Sequence, residues 1–188
     1  MSYAATQGIT SKNTSINSTK LPAVYNKINW DKLEADWIEQ HDGQNPIGII
    51  LDYGCGRYTQ HIEDFVNKKG FYYIGYDPYW NPCDFQKEID QISKINGGGL
   101  VAIICSNVLN VIPSWNGVKE VYRVIHYLAW PKARYFFSIY EGDKTGRGRV
   151  TKDDCWQWNR PASSYVFGYN DKLIKGVITD KTWGLFLK

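Results

Sequence analysis

The sequence is short of the residues from which metal and redox sites are made. It has only three histidines, His41, His61 and His126, and four cysteines, Cys55, Cys83, Cys105 and Cys155. No two cysteines stand at C-x-x-C spacing and the histidines add no ligand cluster, so neither a structural zinc site nor another metal is expected. Cys55 and Cys105 lie in or beside apolar runs, which argues against disulfides and for a reducing cytoplasm. Long apolar runs are missing as well. No stretch approaches a membrane span, and the first residues hold no apolar core of a secretion signal. No membrane partner is expected, and Asn13 and Asn17, which begin formal glycosylation sequons, are read as chance. Charge of one sign is also scarce. The formal net charge of +3 is mildly basic and by itself argues little for nucleic acid.

Aromatic side chains are what the sequence has in quantity: eight Trp, fourteen Tyr and seven Phe. Part of that load is core. The surplus suggests flat surfaces able to stack on a planar ligand such as adenine or a nucleobase. A chain of 188 residues holds one domain with a real core and is too short for two ordinary ones.

Residues 1–20 are rich in Ser, Thr, Asn and Ala without hydrophobic period, and read as a flexible tail; the rival reading is a lid that orders over ligand. Residues 21–188 form the single expected domain. Trp30, Leu33, Trp37 and Ile38 share one face of a helix over 29–41, stopped by Gly43. The apolar run 46–52 reads as a strand buried on both faces. A helix follows from Thr59, as N-cap, to Gly70, with Ile62, Phe65 and Val66 inward. Residues 71–77 are a second strand, 85–95 a helix with Phe85, Ile89 and Ile92 in phase, and 100–105 a buried strand. A helix over 116–130 carries Val118, Val121, Tyr122, Ile125 and Leu128, and 133–140 is a further strand. Residues 141–164 lack a period and read as a long functional or mobile loop. Two β-like runs, 173–179 and 182–187, are expected to pair as a hairpin or with the sheet edge. Alternating strands and helices predict an α/β fold with a mostly parallel central sheet and helices on both faces.

The sharpest local feature is Leu51-Asp-Tyr-Gly-Cys-Gly56, at the end of the first buried strand and before a helix. In an open α/β sheet, ligands bind at the carboxyl ends of strands near the point where the strand order reverses. Gly54 and Gly56 let the backbone turn tightly and approach a ligand closely. The second strand ends in Asp77, 21 residues after Gly56, the spacing expected of an acid that accepts from ribose hydroxyls.

Asp52-x-Gly54-Cys-Gly56 resembles motif I of the class I S-adenosylmethionine-dependent methyltransferases, and Gly75-Tyr-Asp77 resembles their second motif. The resemblance covers roughly residues 46–140 and implies a Rossmann-like domain that binds S-adenosylmethionine and releases S-adenosylhomocysteine. It also implies that Gly54 and Gly56 pack on the methionyl part, that Asp77 holds the ribose, and that Asp52 orders the loop and helps hold the amino-acid end. Tyr79 and Trp80 would wall the adenine. Ser106 would line the cofactor at the end of the 100–105 strand, with Asn107 there as the candidate catalytic residue and Asn110 on the following turn toward the acceptor. The plain alternative for that segment is a capped strand end.

The pattern departs from the family in two places. Tyr58 stands where a third glycine is common and would narrow the pocket. The stretch after Asp77 is also short, so the adenine-reading acid is poorly defined, with Asp84 the only nearby candidate. A dinucleotide-binding Rossmann protein is the nearest competitor. It would want a third glycine at the position of Thr59 to cradle a pyrophosphate. The signature for methylating exocyclic amino groups of DNA bases is absent, and no Pro-Cys dipeptide marks a cytosine-C5 nucleophile; Cys105 reads as packing.

In the 141–160 segment Lys144, Arg147, Arg149 and Lys152 could grip phosphate, and Trp156 and Trp158 could stack on bases, against the plainer reading of a solvated glycine-rich loop. The acceptor class stays open between nucleic acid and a small molecule. A non-catalytic cofactor-binding module is the alternative from another class. The compact chain is also similar to small methyltransferase-like proteins of bacteriophages, which would place it in a host cytoplasm. Oligomeric state is not legible.

Overall fold

The computed structural model describes residues 20–106, 108, 115–129, 133–139, 148–152, 155–158, 164–169 and 172–176. A short 3-10 turn, Tyr25–Lys27, precedes helix α1, Trp30–Glu39. Strand β1 (Gly48–Tyr53), helix α2 (Gln60–Lys68), strand β2 (Tyr72–Tyr76), helix α3 (Phe85–Asn96) and strand β3 (Gly99–Ser106) follow in alternation. Helix α4 (Trp115–Ala129) and strand β4 (Arg134–Ile139) complete that pattern, and four more strands come after: β5 (Gly148–Lys152), β6 (Cys155–Trp158), β7 (Ser164–Tyr169) and β8 (Lys172–Gly176).

The six-stranded sheet runs β2-β1-β3-β4-β7-β8. Its first four strands are parallel, while β7 and β8 are antiparallel additions beside β4. The chain therefore moves from β1 outward to β2, then returns past β1 to β3. That reversal places the switch point between the carboxyl ends of β1 and β3, where an open α/β sheet leaves a crevice. This is an α/β fold with four parallel strands and helices on both faces, as the alternation of strands and helices predicts.

The central strand explains the layering. Ile49, Ile50 and Leu51 are all fully buried, because successive side chains point to opposite faces and both faces are covered. Ile49 and Leu51 pack with Ile74, Ile103, Cys105 and Phe137 under α3 and α4, through Ile89, Ile125 and Ala129. Ile50 faces the other layer with Ala102, Ile104 and Phe136, under α1 and α2, through Trp30, Leu33, Trp37, Ile62 and Val66. A bulge in β3 skips Val101 between partners of Ile49 and Ile50, and Val101 and Ala102 both join this second cluster. Val24 and Tyr25 are fully buried in it as well, so the segment before α1 is part of the core. The Trp30 indole N–H donates to the Tyr25 carbonyl at 2.9 Å and the Trp37 indole N–H to the Pro46 carbonyl at 2.8 Å. An ion pair from Arg134 at the start of β4 to Asp36 of α1 ties the helix to the sheet.

Several expectations need correction. Thr59 occupies the N-cap position of α2, but its side chain makes no capping bond. Asp84, the candidate adenine-reading acid, is the N-cap of α3: its carboxylate accepts from the Lys87 N–H at 3.1 Å. The 141–164 stretch is not a plain loop. It contains the antiparallel β5–β6 hairpin. The hairpin added to the sheet is β7–β8, one run earlier than expected, and it does pair at the sheet edge through β4. Residues 1–19 and 182–187 lie outside the described residues. Among the described residues, no helix is long and apolar enough to cross a membrane.

Candidate functional site

The turn after β1 is held to β2 by the backbone. Asp52 and Tyr53 of β1 pair in register with Gly75 and Tyr76, and beyond the strands the N–H groups of Gly54 and Cys55 both donate to the Tyr76 carbonyl, at 2.7 and 3.0 Å. Two donors on one carbonyl require a sharp reversal. Gly54 and Gly56 supply it with φ of +87° and +76°, a region that side chains disfavour. Val108, just past β3, lies where a Cβ on Gly54 would sit, so the β1 turn and the segment after β3 meet at the switch point. Gly54→Ala would add backbone strain to that clash. It should lower stability by about 1–3 kcal/mol, read as a shift of the denaturant midpoint at constant slope. A midpoint unchanged within error would remove the argument for a required glycine here.

Asp77 joins the turn from the other side. It is 7% exposed and carries three backbone donors. The Gly56 N–H reaches Oδ2 at 3.2 Å, and the N–H groups of Tyr79 and Trp80 reach Oδ1 at 2.9 and 3.1 Å. Asp77 and Asn81 also exchange two backbone bonds of 3.0 Å. The carboxylate thus clips the glycine turn to its own turn. A carboxylate offers about four lone-pair directions, so one remains for a ligand hydroxyl after three N–H groups are served. Asn81 reinforces the clip: its side-chain NH2 donates to the Gly75 carbonyl at 2.8 Å and contacts the Cys55 sulfur at 3.8 Å. Burial and the neighbouring carboxylates push the Cys55 thiol well above its ordinary range, so it is no nucleophile at neutral pH.

Asp52 lies beneath the turn and is 2% exposed. Its Oδ2 accepts from the Tyr25 hydroxyl at 2.8 Å and from the Tyr73 hydroxyl at 3.3 Å. Tyr73 leans along β2 over Gly75 to do so, and a Cβ on Gly75 would stand 2.9 Å from that hydroxyl. Burial raises the Asp52 carboxyl from 3.8 to about 6; the tyrosine donors pull it down and Asp77 adds to the rise. Among the described residues, no basic side chain forms an ion pair with Asp52 or Asp77. The opposite face of the turn is aromatic. Tyr53 and Tyr76 have ring centroids 5.1 Å apart, and Phe85 meets Tyr76 edge-on at 4.8 Å. Burial pushes the Tyr53 phenol up to about 12.

The rim is exposed and flat. Tyr58, Tyr79 and Trp80 are 48, 41 and 36% exposed, and the Arg57 guanidinium stands 4.9 Å from the Trp80 ring centroid and 5.2 Å from that of Tyr58. Tyr58, expected to narrow the pocket, is thus stacked with Arg57 at the rim. Ser106 ends β3, half-buried and in register with Ser138 of β4.

The structure therefore brings together Asp52, Gly54, Gly56, Asp77 and Tyr79. Arg149 and Trp156 belong to the β5–β6 hairpin, where Arg149 pairs with Gln157 and Trp156 with Val150. Asn107, Asn110, Lys144 and Arg147 lie outside the described residues. Sequence reasoning missed Tyr25 and Tyr73 as the partners of Asp52, and Asn81 as the brace behind the turn. Tyr25 sits outside any periodic segment, so no pattern pointed to it. Comparison of the chain with protein-family models, with curated proteins and with solved structures finds no match.

Proposed function

We propose that the glycine turn at the β1 end binds an adenosyl cofactor, S-adenosylmethionine, and that the protein is a methyltransferase of class I type. The observation that carries this reading is the clip between Gly56 and Asp77. It sets an acid from the end of β2 against a glycine turn at the end of β1, beside the switch point of a parallel sheet. The donor set fits the group. Asp77 keeps an acceptor direction for a ribose hydroxyl. The rims of Tyr79 and Trp80 suit a flat adenine. Asp52 and Asp77, which form no ion pair among the described residues, suit a ligand with a sulfonium charge.

The bound ligand supplies an activated methyl group, so the chain's task is orientation. Asp77 and the turn would fix one end of the ligand, and Ser106 at the carboxyl end of β3, with Asn107 after it in sequence, is proposed to orient the acceptor. Lys144, Arg147, Arg149 and Trp156 are the proposed acceptor contacts, with Asn110.

Calorimetry with S-adenosylmethionine, S-adenosylhomocysteine and NADH tests the binding half. The first two should bind, more weakly by about 1–3 kcal/mol in Asp77→Ala. Tight NADH binding with no response to the adenosyl ligands would replace this reading with a dinucleotide-binding one. The transfer half needs methyl-labelled cofactor and separate pools of RNA, DNA, protein and metabolites. Label entering one pool names the acceptor class. Binding without transfer to any pool, where a control methyltransferase succeeds, would make the protein a cofactor-binding module.

A further inference from the structure

A buried carboxylate without a cation is costly, and Asp52 is one, directly below the turn that the proposed ligand would touch. Its surroundings contain no compensating charge among the described residues. Tyr25 faces it from the turn before α1, Tyr73 from β2, Cys55 from the glycine turn, Asp77 from the segment after β2 and Cys105 from β3; Glu63 of α2 acts on Tyr73. Every one of these groups is an acid or a neutral donor. Two hydroxyl donors favour the anion, while burial and Asp77 oppose it, so the proton on Asp52 is finely balanced. A positive charge arriving at the turn would shift that balance toward the anion.

We propose that Asp52 is a specificity-determining residue, whose buried anion favours the cationic sulfonium ligand over its neutral thioether product. The inference rests on the adenosyl-cofactor reading and adds to it a proton linkage and a direction. S-adenosylmethionine carries one more positive charge than S-adenosylhomocysteine, and only that extra charge needs the Asp52 anion. Where Asp52 still carries its proton, at about pH 6 and below, that proton leaves as the charged ligand binds and returns when the charge on the ligand is lost by methyl transfer. Product is then held less firmly than substrate. Asp52 touches neither the sulfur nor the methyl in this scheme; it acts through the field below the turn.

The test is calorimetry of both ligands between pH 5 and pH 8, in buffers of different ionisation enthalpy. Affinity for S-adenosylmethionine should rise with pH through about 6 and be roughly five- to tenfold weaker at pH 5 than on the plateau, with proton release on binding. S-adenosylhomocysteine should show a smaller slope. In Tyr73→Phe, one donor to the anion is gone, and the midpoint should move to higher pH; in Asp52→Asn the difference in slope between the ligands should vanish. A flat profile for the charged ligand, equal slopes for the two ligands, or a midpoint that Tyr73→Phe leaves in place would each overturn the inference. Failure of both ligands to bind at any pH would instead overturn the adenosyl-cofactor reading itself.

Discussion

Asp52→Asn should make the protein more stable at neutral pH. The wild-type carboxyl has its folded value raised from 3.8 to about 6, chiefly by burial. A group raised in the folded state binds its proton more firmly there than in the unfolded chain. Stability is therefore highest where both states are protonated, below about pH 4, and is lost as pH rises toward 6; above 6 the full cost remains. The gap corresponds to about 3 kcal/mol. Asn removes the buried charge and keeps an oxygen for the Tyr25 and Tyr73 hydroxyls, though as a weaker acceptor. The net gain should be about 1–3 kcal/mol at pH 7.5 and should fade by pH 4. Paired denaturant titrations of wild type and variant at several pH values measure it, because other carboxylates cancel in the difference. A variant less stable than wild type across the whole range would show that the two tyrosine bonds outweigh the burial. Residues that a fold keeps at such a cost concentrate at functional sites, which is why the result bears on function as well as stability.

Asp77 should behave in the opposite way. Its carboxylate serves three backbone N–H groups in two turns, and Asp77→Ala uncaps all of them. The expected loss is about 2–4 kcal/mol, below the sum of three charge-assisted bonds because water can reach part of these turns. Asp77→Asn separates the partners. Its single amide oxygen can serve Tyr79 and Trp80, but its NH2 then faces the Gly56 N–H, donor against donor. Amide hydrogen exchange reads this directly. Gly56 should exchange faster in both variants, whereas Tyr79 and Trp80 should accelerate only in the Ala variant. Unchanged protection of Gly56 in the Asn variant would mean that the Tyr76 carbonyl, not Asp77, holds the turn.

The two predictions differ in sign although both residues are nearly buried aspartates at strand ends. The difference lies in the donors. Asp77 meets three backbone N–H groups, and Asp52 meets two tyrosine hydroxyls with no basic side chain paired to it among the described residues. The sequence marked both as acids of the expected cofactor site, Asp52 in the first motif and Asp77 in the second, and could not tell that their burial has opposite energetic signs.

Much of the fold was legible because it depends on local periods. Ile49-Ile-Leu51 reads as a strand covered on both faces, and it is one. Leu33 and Trp37 in α1, and Ile62 and Val66 in α2, fall at helical spacing and are buried. The turn glycines were also legible, since positive φ is a requirement of one residue and its neighbours. The strands after β4 were read poorly. Trp156 and Gln157 of β6 and Ser164 and Tyr165 of β7 mix polar and aromatic residues without a clean alternation, and their pairing is decided by partners elsewhere in the chain.

By itself the amino-acid sequence determined an alternating α/β chain with an acid–glycine turn after its first strand and a second acid 21 residues beyond it. Those are properties of spacing and of single-residue backbone preference. Only the tertiary structure decided that β3 lies on the other side of β1 from β2, which creates the switch point. It alone brought Tyr25 to Asp52 across 27 residues of chain, and Asp77 to the Gly56 N–H. The charge environment of a buried carboxylate follows from which layers close over it. That closure is a long-range packing result, with no period or motif in the sequence to announce it.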